Sequence, residues 1–308
     1  MISRRLLLTS VTTFVLAASS ALAADAPLKV VASFSILGDI VSEIGGERVE
    51  VSTLVGADGD AHVYQPTPND ARAMAGAAVI VTNGLGFEGW MDRLVAASGT
   101  QATIITASDG ITPLAFDAEG HDDHEGHDHG HDHGAVDPHA WQDVVNVMIY
   151  VSNIERGLGA VDPDGAAAYA ANAAAYVARL EALDGDIHAT IAALPENRRT
   201  ILTSHDAFGY FESAYGLHFE APQGVSTDAE ASAQDVAALI TRIREEGIGA
   251  VFVENIADPR LLDRIAAETD ARIGGTLYSD ALSGPDGPAA TYIDLMRHNL
   301  AQLTDAGQ

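Results

Sequence analysis

The side chains in this sequence best suited to chemistry are its histidines, of which there are twelve. Six of them fall within Asp117–Asp137, which reads DAEGHDDHEGHDHGHDHGAVD and has no apolar periodicity, so we expect a mobile loop. Imidazoles and carboxylates together suit borderline divalent cations such as zinc. The segment therefore predicts metal capture without a defined site, because any four of its ligands could serve. Its histidines are His121, His124, His127, His129, His131 and His133.

Three other histidines and one aspartate stand singly in loop-like contexts, at or near the ends of predicted strands. They are His62 in DAHVY, His139 in DPHAW, His205 in TSHD and Asp280 in LYSD. In open α/β sheets, ligands bind outside the carboxyl ends of the strands. Three imidazoles and one carboxylate form a four-coordinate set suited to zinc. Taken singly, each histidine could be an ordinary surface residue and Asp280 could cap a helix.

Residues beside these four could orient them. Glu254 ends an apolar strand near the expected cleft, which predicts either a hydrogen bond to a ligand or an ion pair between lobes. Asp206, next to His205, could cap a helix or orient that imidazole. We expect Trp141 and Tyr64 to pack around the site. The remaining histidines, expected to be structural, are His188, His218 and His298.

Charge and composition exclude several other classes of function. The 308 residues include 16 Lys and Arg against 44 Asp and Glu, a formal net charge of -28. A chain this acidic repels phosphate backbones, so we expect no nucleic-acid partner. The absence of cysteine excludes disulfides, thiolate metal ligands, cysteine nucleophiles and cysteine-linked lipid anchors.

The first residues have the pattern of a secretory signal. Arg4 and Arg5 precede an apolar run, Leu6–Ala18, and an A-x-A site ends at Ala23. The run is shorter than the roughly 20 residues of a membrane span. We therefore expect cleavage after residue 23 and a soluble, monomeric protein in the periplasm, exported by either the general or the twin-arginine route.

Strands alternate with helices along the rest of the chain, which predicts an α/β fold with two parallel-sheet lobes. The predicted boundaries are a signal peptide at 1–23, an N-terminal lobe at 24–160, a linking helix at 161–195 and a C-terminal lobe at 196–308. Asp162-Pro163-Asp164 is expected to cap the linking helix. At 1.5 Å per residue, about thirty helical residues span on the order of 45 Å, so we expect a rigid spacer and limited hinge motion.

Several motifs occur in order along nearly the whole mature chain. They are VASFSILGDIV from Val31, HVYQPTP from His62, NGLGFEGW from Asn83, DPHAW from Asp137, SHDAFGYF from Ser204, VFVEN from Val251 and LYSDALS from Leu277. In combination they resemble the metal-specific solute-binding proteins of ABC importers, the ZnuA/TroA-like family. The resemblance implies a metal site in the cleft between lobes, with ligands His62, His139, His205 and Asp280. It also implies delivery to a membrane permease without catalysis.

The resemblance bears on the metal as well. Manganese-selective relatives typically place Glu where this chain has His205, so the resemblance implies Zn²⁺, with Mn²⁺ or mixed specificity as the alternative. The DAH context and the histidine-rich loop look like the AztC branch of zinc binders. Many zinc-binding relatives carry a disulfide in the second lobe, which this chain lacks. A periplasmic zinc buffer or chaperone would share the site, and a metallochaperone could be a partner.

Two kinds of enzyme are alternatives to a metal-binding transport protein, a dinucleotide-dependent enzyme and a zinc hydrolase. Residues 84–89, GLGFEG, follow a strand and precede a helix, and Asp109 lies further on, as in a dinucleotide-binding fingerprint. Two features argue against dinucleotide binding. The motif follows the third strand rather than opening the sheet, and the carboxylate of Glu88 would lie near the pyrophosphate. A zinc hydrolase needs an open metal position for water, whereas four side chains fill this set.

Overall fold

The computed structural model describes residues 26–115, 136–229, 231–246, 250–269 and 271–305. The predicted signal peptide and the six clustered histidines lie outside these residues. Within them, two four-stranded sheets form, and every strand pairing is parallel. None of the helices described is long and apolar enough to cross a membrane.

The first sheet has the order β2-β1-β3-β4. Its strands are β1 (Leu28–Phe34), β2 (Val49–Val55), β3 (Val79–Thr82) and β4 (Thr103–Thr106), and its helices are α1 (Ser35–Gly45), α2 (Pro68–Gly76) and α3 (Met91–Ser98). All four residues of β3 are buried, as expected for a strand covered on both faces. The start of α2 is fixed by a capping box in which Thr67 and Asp70 satisfy each other's backbone amides.

Two long helices follow the first sheet, α4 (Val144–Val161) and α5 (Ala166–Ala192). No helix was predicted over the residues of α4. Asp162 ends α4 and accepts hydrogen bonds from Arg48 and Tyr169. Its Oδ1 also accepts the amide of Gly165 at 3.2 Å, the bond expected of a capping aspartate, although α5 itself begins three residues after Pro163. The 27 residues of α5 span about 40 Å at 1.5 Å each.

The second sheet repeats the first, with the order β6-β5-β7-β8. Its strands are β5 (Thr200–Leu202), β6 (His218–Glu220), β7 (Ala250–Glu254) and β8 (Arg272–Leu277), and its helices are α6 (Gly209–Tyr215), α7 (Ala233–Glu246), α8 (Arg260–Glu268) and α9 (Tyr292–Asp305). In both sheets the first strand lies between the second and the third. Ligand sites form at such switch points, beyond the carboxyl ends of the strands.

The larger hydrophobic core runs from the first sheet through α4 and α5 into one side of the second lobe. A smaller core packs α7 and α8 against β5 and β7. Hydrogen bonds fasten the segment after β8 to the first lobe, because Trp141 Nε1 and Gln142 Nε2 both donate to the carbonyl of Ser279, at 2.8 and 2.9 Å. The hydroxyl of Tyr292 also donates to the carbonyl of Trp141 at 2.7 Å.

Candidate metal centre

Four side chains from four loops meet in the cleft between the lobes. His62 follows β2, His139 precedes α4, His205 follows β5 and Asp280 follows β8. One ligand atom from each lies within 4.8 Å of the other three. These are the four residues proposed as ligands from the sequence, although they are far apart in the chain.

The spacing of these atoms suits a tetrahedral ion. His62 Nε2 lies 3.3 Å from His139 Nε2 and 3.1 Å from Asp280 Oδ2. His205 Nε2 lies 3.2 Å from Asp280 Oδ2, and His139 Nε2 lies 3.6 Å from Asp280 Oδ1. Zinc bonds of about 2.0–2.1 Å at tetrahedral angles separate neighbouring ligand atoms by roughly 3.4 Å. The four side chains thus surround a volume of the size of one such cation.

The carboxylate of Asp280 gives the strongest indication that the centre receives a cation. The side chain is completely buried, and the polar groups near its oxygens are the imidazole nitrogens of the same centre. Burial alone would raise the pKa of Asp280, but His205 and His139 hold that pKa well below its ordinary value. A buried carboxylate is costly unless positive charge compensates it. Protons on the imidazoles or a metal ion between them can supply that charge.

Glu254 fixes the orientation of His205. Its Oε2 lies 2.6 Å from His205 Nδ1, within hydrogen-bond distance. Its Oε1 accepts the backbone amides of Ser204 and His205 at 2.7 and 2.9 Å. A carboxylate at Nδ1 holds the proton there and leaves Nε2 facing the centre. Of the two expected roles, Glu254 takes the contact with a ligand, and it forms no ion pair with described residues of the first lobe.

Asp137 fixes His139 in the same way, a role that was not predicted from the sequence. Its Oδ1 lies 2.7 Å from His139 Nδ1 and accepts the backbone amide of His139 at 2.9 Å. Burial lowers the pKa of His139, but Asp280 and Asp137 outweigh it and raise that pKa to about 9. Asp137 was expected to belong to the mobile loop, yet it is buried, and the preceding Val136 pairs with Ala115.

A shared local pattern could have revealed this partner. The two ligands from the first lobe, His62 and His139, both stand in Asp-x-His, and in both cases the aspartate accepts the backbone amide of the histidine. Asp60 Oδ1 accepts from His62, and Asp137 Oδ1 accepts from His139, each at 2.9 Å. This turn holds the histidine backbone in place two residues after each aspartate.

Aromatic rings enclose the centre. Phe87 packs edge-on against His62 with ring centroids 4.7 Å apart, and Trp141 packs against His139 at 5.2 Å. Tyr64 lies one layer further out, where it packs edge-on against Trp90 and its hydroxyl donates to Asp70. An apolar surround of this kind limits access of water and strengthens charge interactions inside.

Asp206 and the three remaining histidines contribute none of the four ligand atoms. Asp206 does not cap α6, which begins at Gly209 with no side-chain cap. Burial raises the pKa of Asp206 to about 6, and its carboxylate lies close enough to His139 and His205 for their charges to lower that pKa in part. The side chains of His188 and His218 are about half exposed. His298 donates to the carbonyl of Thr276 at 2.9 Å.

The glycine-rich turn after β3 is occupied by the protein's own carboxylate. Glu88 is buried, and it accepts the amides of Asn83 and Gly84 at 2.6 and 3.3 Å and the hydroxyl of Ser33 at 2.5 Å. A dinucleotide phosphate would need such backbone amides and would meet this negative charge. The turn therefore does not have the chemistry of a pyrophosphate site.

Fold and centre together define a two-lobed metal-binding protein with its ligands in the cleft. Comparison with known proteins agrees, because residues 30–306 match the family described as zinc-uptake complex component A periplasmic. The chain therefore belongs to the ZnuA/TroA family of periplasmic metal-binding proteins, which are the substrate-binding components of ABC transporters.

Individual relatives are named for different metals. Manganese-binding lipoprotein MntA of Halalkalibacterium halodurans is 36% identical over 273 residues, which cover 89% of this chain and 86% of MntA. Iron-binding protein YfeA of Yersinia pestis is 33% identical, covering 87% and 82%. The structure of periplasmic zinc binding protein TroA from Treponema pallidum has a TM-score of 0.83 at 27% identity, covering 91% of this chain and 99% of that one.

Proposed function

We propose that this protein is the zinc-binding component of an ABC importer and carries one Zn²⁺ on His62, His139, His205 and Asp280. The observation that carries the proposal is the buried set of three imidazole nitrogens and one carboxylate at tetrahedral spacing. Imidazole-rich sets suit zinc, whereas manganese prefers oxygen-rich ones.

The number of side chains around the centre supports a role in transport rather than in catalysis. Four side chains fill a tetrahedral shell, so no position remains for the activated water that a zinc hydrolase requires. In this proposal the signal peptide, residues 1–23, is removed, and the loaded protein docks on a membrane permease from the periplasm. The histidine-rich segment gathers zinc or receives it from a metallochaperone and passes it to the centre.

A manganese or mixed zinc and manganese carrier is the second candidate. Its support is the 36% identity to a relative named for manganese and the single carboxylate ligand, Asp280. A zinc buffer without a permease would share the same centre and differ only in its partner.

Competition titration of metal-free protein separates the two metals. We expect zinc to bind much more tightly than manganese, and His205→Ala to weaken zinc binding severely. His188→Ala is the matched control, because that side chain is 53% exposed and lies outside the cluster. Zinc affinity no higher than manganese affinity would make the zinc assignment wrong.

A further inference from the structure

The loop between β2 and His62 reaches across the cleft and bonds to the second lobe. The amide of Asp58 donates to the carbonyl of Leu282 at 2.9 Å, and Asn255 Nδ2 donates to Asp58 Oδ1 at 3.0 Å. Asp58 has φ of 54°, in the left-handed region that a non-glycine residue enters at some cost. The inter-lobe bonds therefore help hold a conformation that the backbone alone would disfavour.

Asp60 joins the same contact directly to a metal ligand. Its Oδ2 accepts the hydroxyl of Thr227, in the second lobe, at 2.7 Å. Its Oδ1 accepts the backbone amide of His62 at 2.9 Å. One carboxylate thus connects a second-lobe hydroxyl to the backbone that carries a first-lobe ligand.

Neither oxygen of Asp60 belongs to the four-atom cluster, so the residue holds the loop and is not itself a ligand. To withdraw His62 from the second-lobe ligands, the protein must break the bond between Thr227 and Asp60. The bond from Asn255, just after β7, to Asp58 must break in the same movement. These bonds add to the barrier for opening while the metal–ligand bonds stay the same.

We propose that Asp60 and Thr227 form an inter-lobe clasp that sets how long the bound cation is retained. The inference rests on the proposed function, because it needs a cation held between the lobes. Asp60 is a positioning residue here, acting on the cation through His62. A hydroxyl-to-carboxylate bond is stronger than one between neutral groups, so its loss speeds release on the order of tenfold.

The test is the rate of zinc release from protein loaded with one equivalent of Zn²⁺ and mixed with excess chelator. Thr227→Val removes the hydroxyl at nearly constant volume, and Thr227→Ser restores it. Thr241→Val is the matched control, since the Thr241 hydroxyl bonds within α7, to Ala237, and not across the cleft. We expect release about tenfold faster in Thr227→Val and near the wild-type rate in the other two variants.

Two further measurements distinguish loss of the clasp from a general loss of stability or a change in the metal site. The thermal midpoint of metal-free Thr227→Val should match that of Thr241→Val, and the visible spectrum of its Co²⁺ form should match the wild type. Release from Thr227→Val at the wild-type rate would overturn the clasp, as would fast release that Thr227→Ser does not reverse. Wild-type protein that fails to hold one zinc would instead overturn the proposed function.

Discussion

His205 Nδ1 lies 2.6 Å from Oε2 of Glu254, and both side chains are completely buried. The contact joins the ends of two neighbouring strands, β5 and β7, and turns His205 Nε2 toward Asp280 at 3.2 Å. The orientation of one ligand is thus set by a carboxylate that does not itself face the centre.

Replacing Glu254 should therefore weaken metal binding without removing a ligand. Glu254→Gln keeps the shape of the side chain but loses its charge, so the proton on His205 Nδ1 is held less firmly. Loss of such an outer partner typically costs about 10–100-fold in metal affinity. Competition titration with a chromogenic chelator measures the change, and the stoichiometry should remain one.

Glu181→Gln is the matched control for this substitution, because Glu181 lies on the exposed face of α5. Its affinity should equal that of the wild type. If Glu254→Gln also bound zinc with wild-type affinity, the orienting role of Glu254 would be excluded.

Metal binding should release protons at neutral pH. The pKa of His139 is raised to about 9 by Asp280 and Asp137 against the effect of burial, so its imidazole is protonated at pH 7 before metal binds. The cation needs the lone pair on Nε2 and must displace that proton. Each displaced proton lowers affinity about tenfold per unit fall in pH.

Calorimetric titration in buffers of different ionisation enthalpy counts these protons directly. We expect at least one proton released per cation at pH 7. Asp137→Asn removes one of the carboxylates that raise the pKa, so it should release fewer protons at pH 8. Binding with no net proton release would contradict this account of the site.

A second titratable group with a shifted pKa, Asp39, lies at the junction of the lobes. Asp39, in α1, accepts the first backbone amide of α9, from Tyr292, at 2.9 Å. Burial, with the nearby carboxylate of Glu43, raises the pKa of Asp39 from 3.8 to about 6. Because the folded-state pKa is raised, this group's stabilisation is present below pH 3.8 and is lost as pH rises through 6.

Asp39→Asn keeps an oxygen acceptor for Tyr292 and does not titrate. The stability of the variant relative to the wild type should therefore grow between pH 4 and pH 7. A gain of about 1–2 kcal/mol in the free energy of unfolding is expected. Urea unfolding at both pH values measures it, with the exposed Asp92→Asn as control. A stability difference independent of pH would show that Asp39 does not titrate in this range.

Much of the fold was predictable because its signals are local. Apolar runs such as Val79–Thr82 and their alternation with helices indicate parallel sheets without knowledge of the packing. The missed helix, α4, also carries a helical pattern, since Val144, Val147, Val151 and Leu158 are all buried on one face. Its β-branched start, VVNVMIYV, looks equally like a strand, and packing against α5 decides between the two.

The positions of the ligands could be predicted from strand ends and from the motifs around them, and so could Glu254, which follows a strand in the same way. Asp137 was missed although its contact with His139 is local, two residues along the chain. The bond from Thr227 to Asp60 joins residues from different lobes, and nothing in either segment alone indicates it. Contacts of this kind are properties of the assembled cleft.

The histidine-rich segment is the alternative to the proposed centre as the place where zinc binds tightly. The residues on its two sides are adjacent in space, since Ala115 pairs with Val136 and the amide of Asp137 donates to the carbonyl of Leu114 at 3.1 Å. We therefore expect that residues 117–135 can be replaced by a short glycine linker, which lets Ala115 and Val136 stay paired, without displacing His139.

Zinc titration of the protein lacking residues 117–135 tests the central claim most directly. If His62, His139, His205 and Asp280 hold the cation, the shortened protein binds one equivalent of zinc with the affinity of the full chain. Loss of tight binding on this deletion would place the main site in the removed segment and contradict the account.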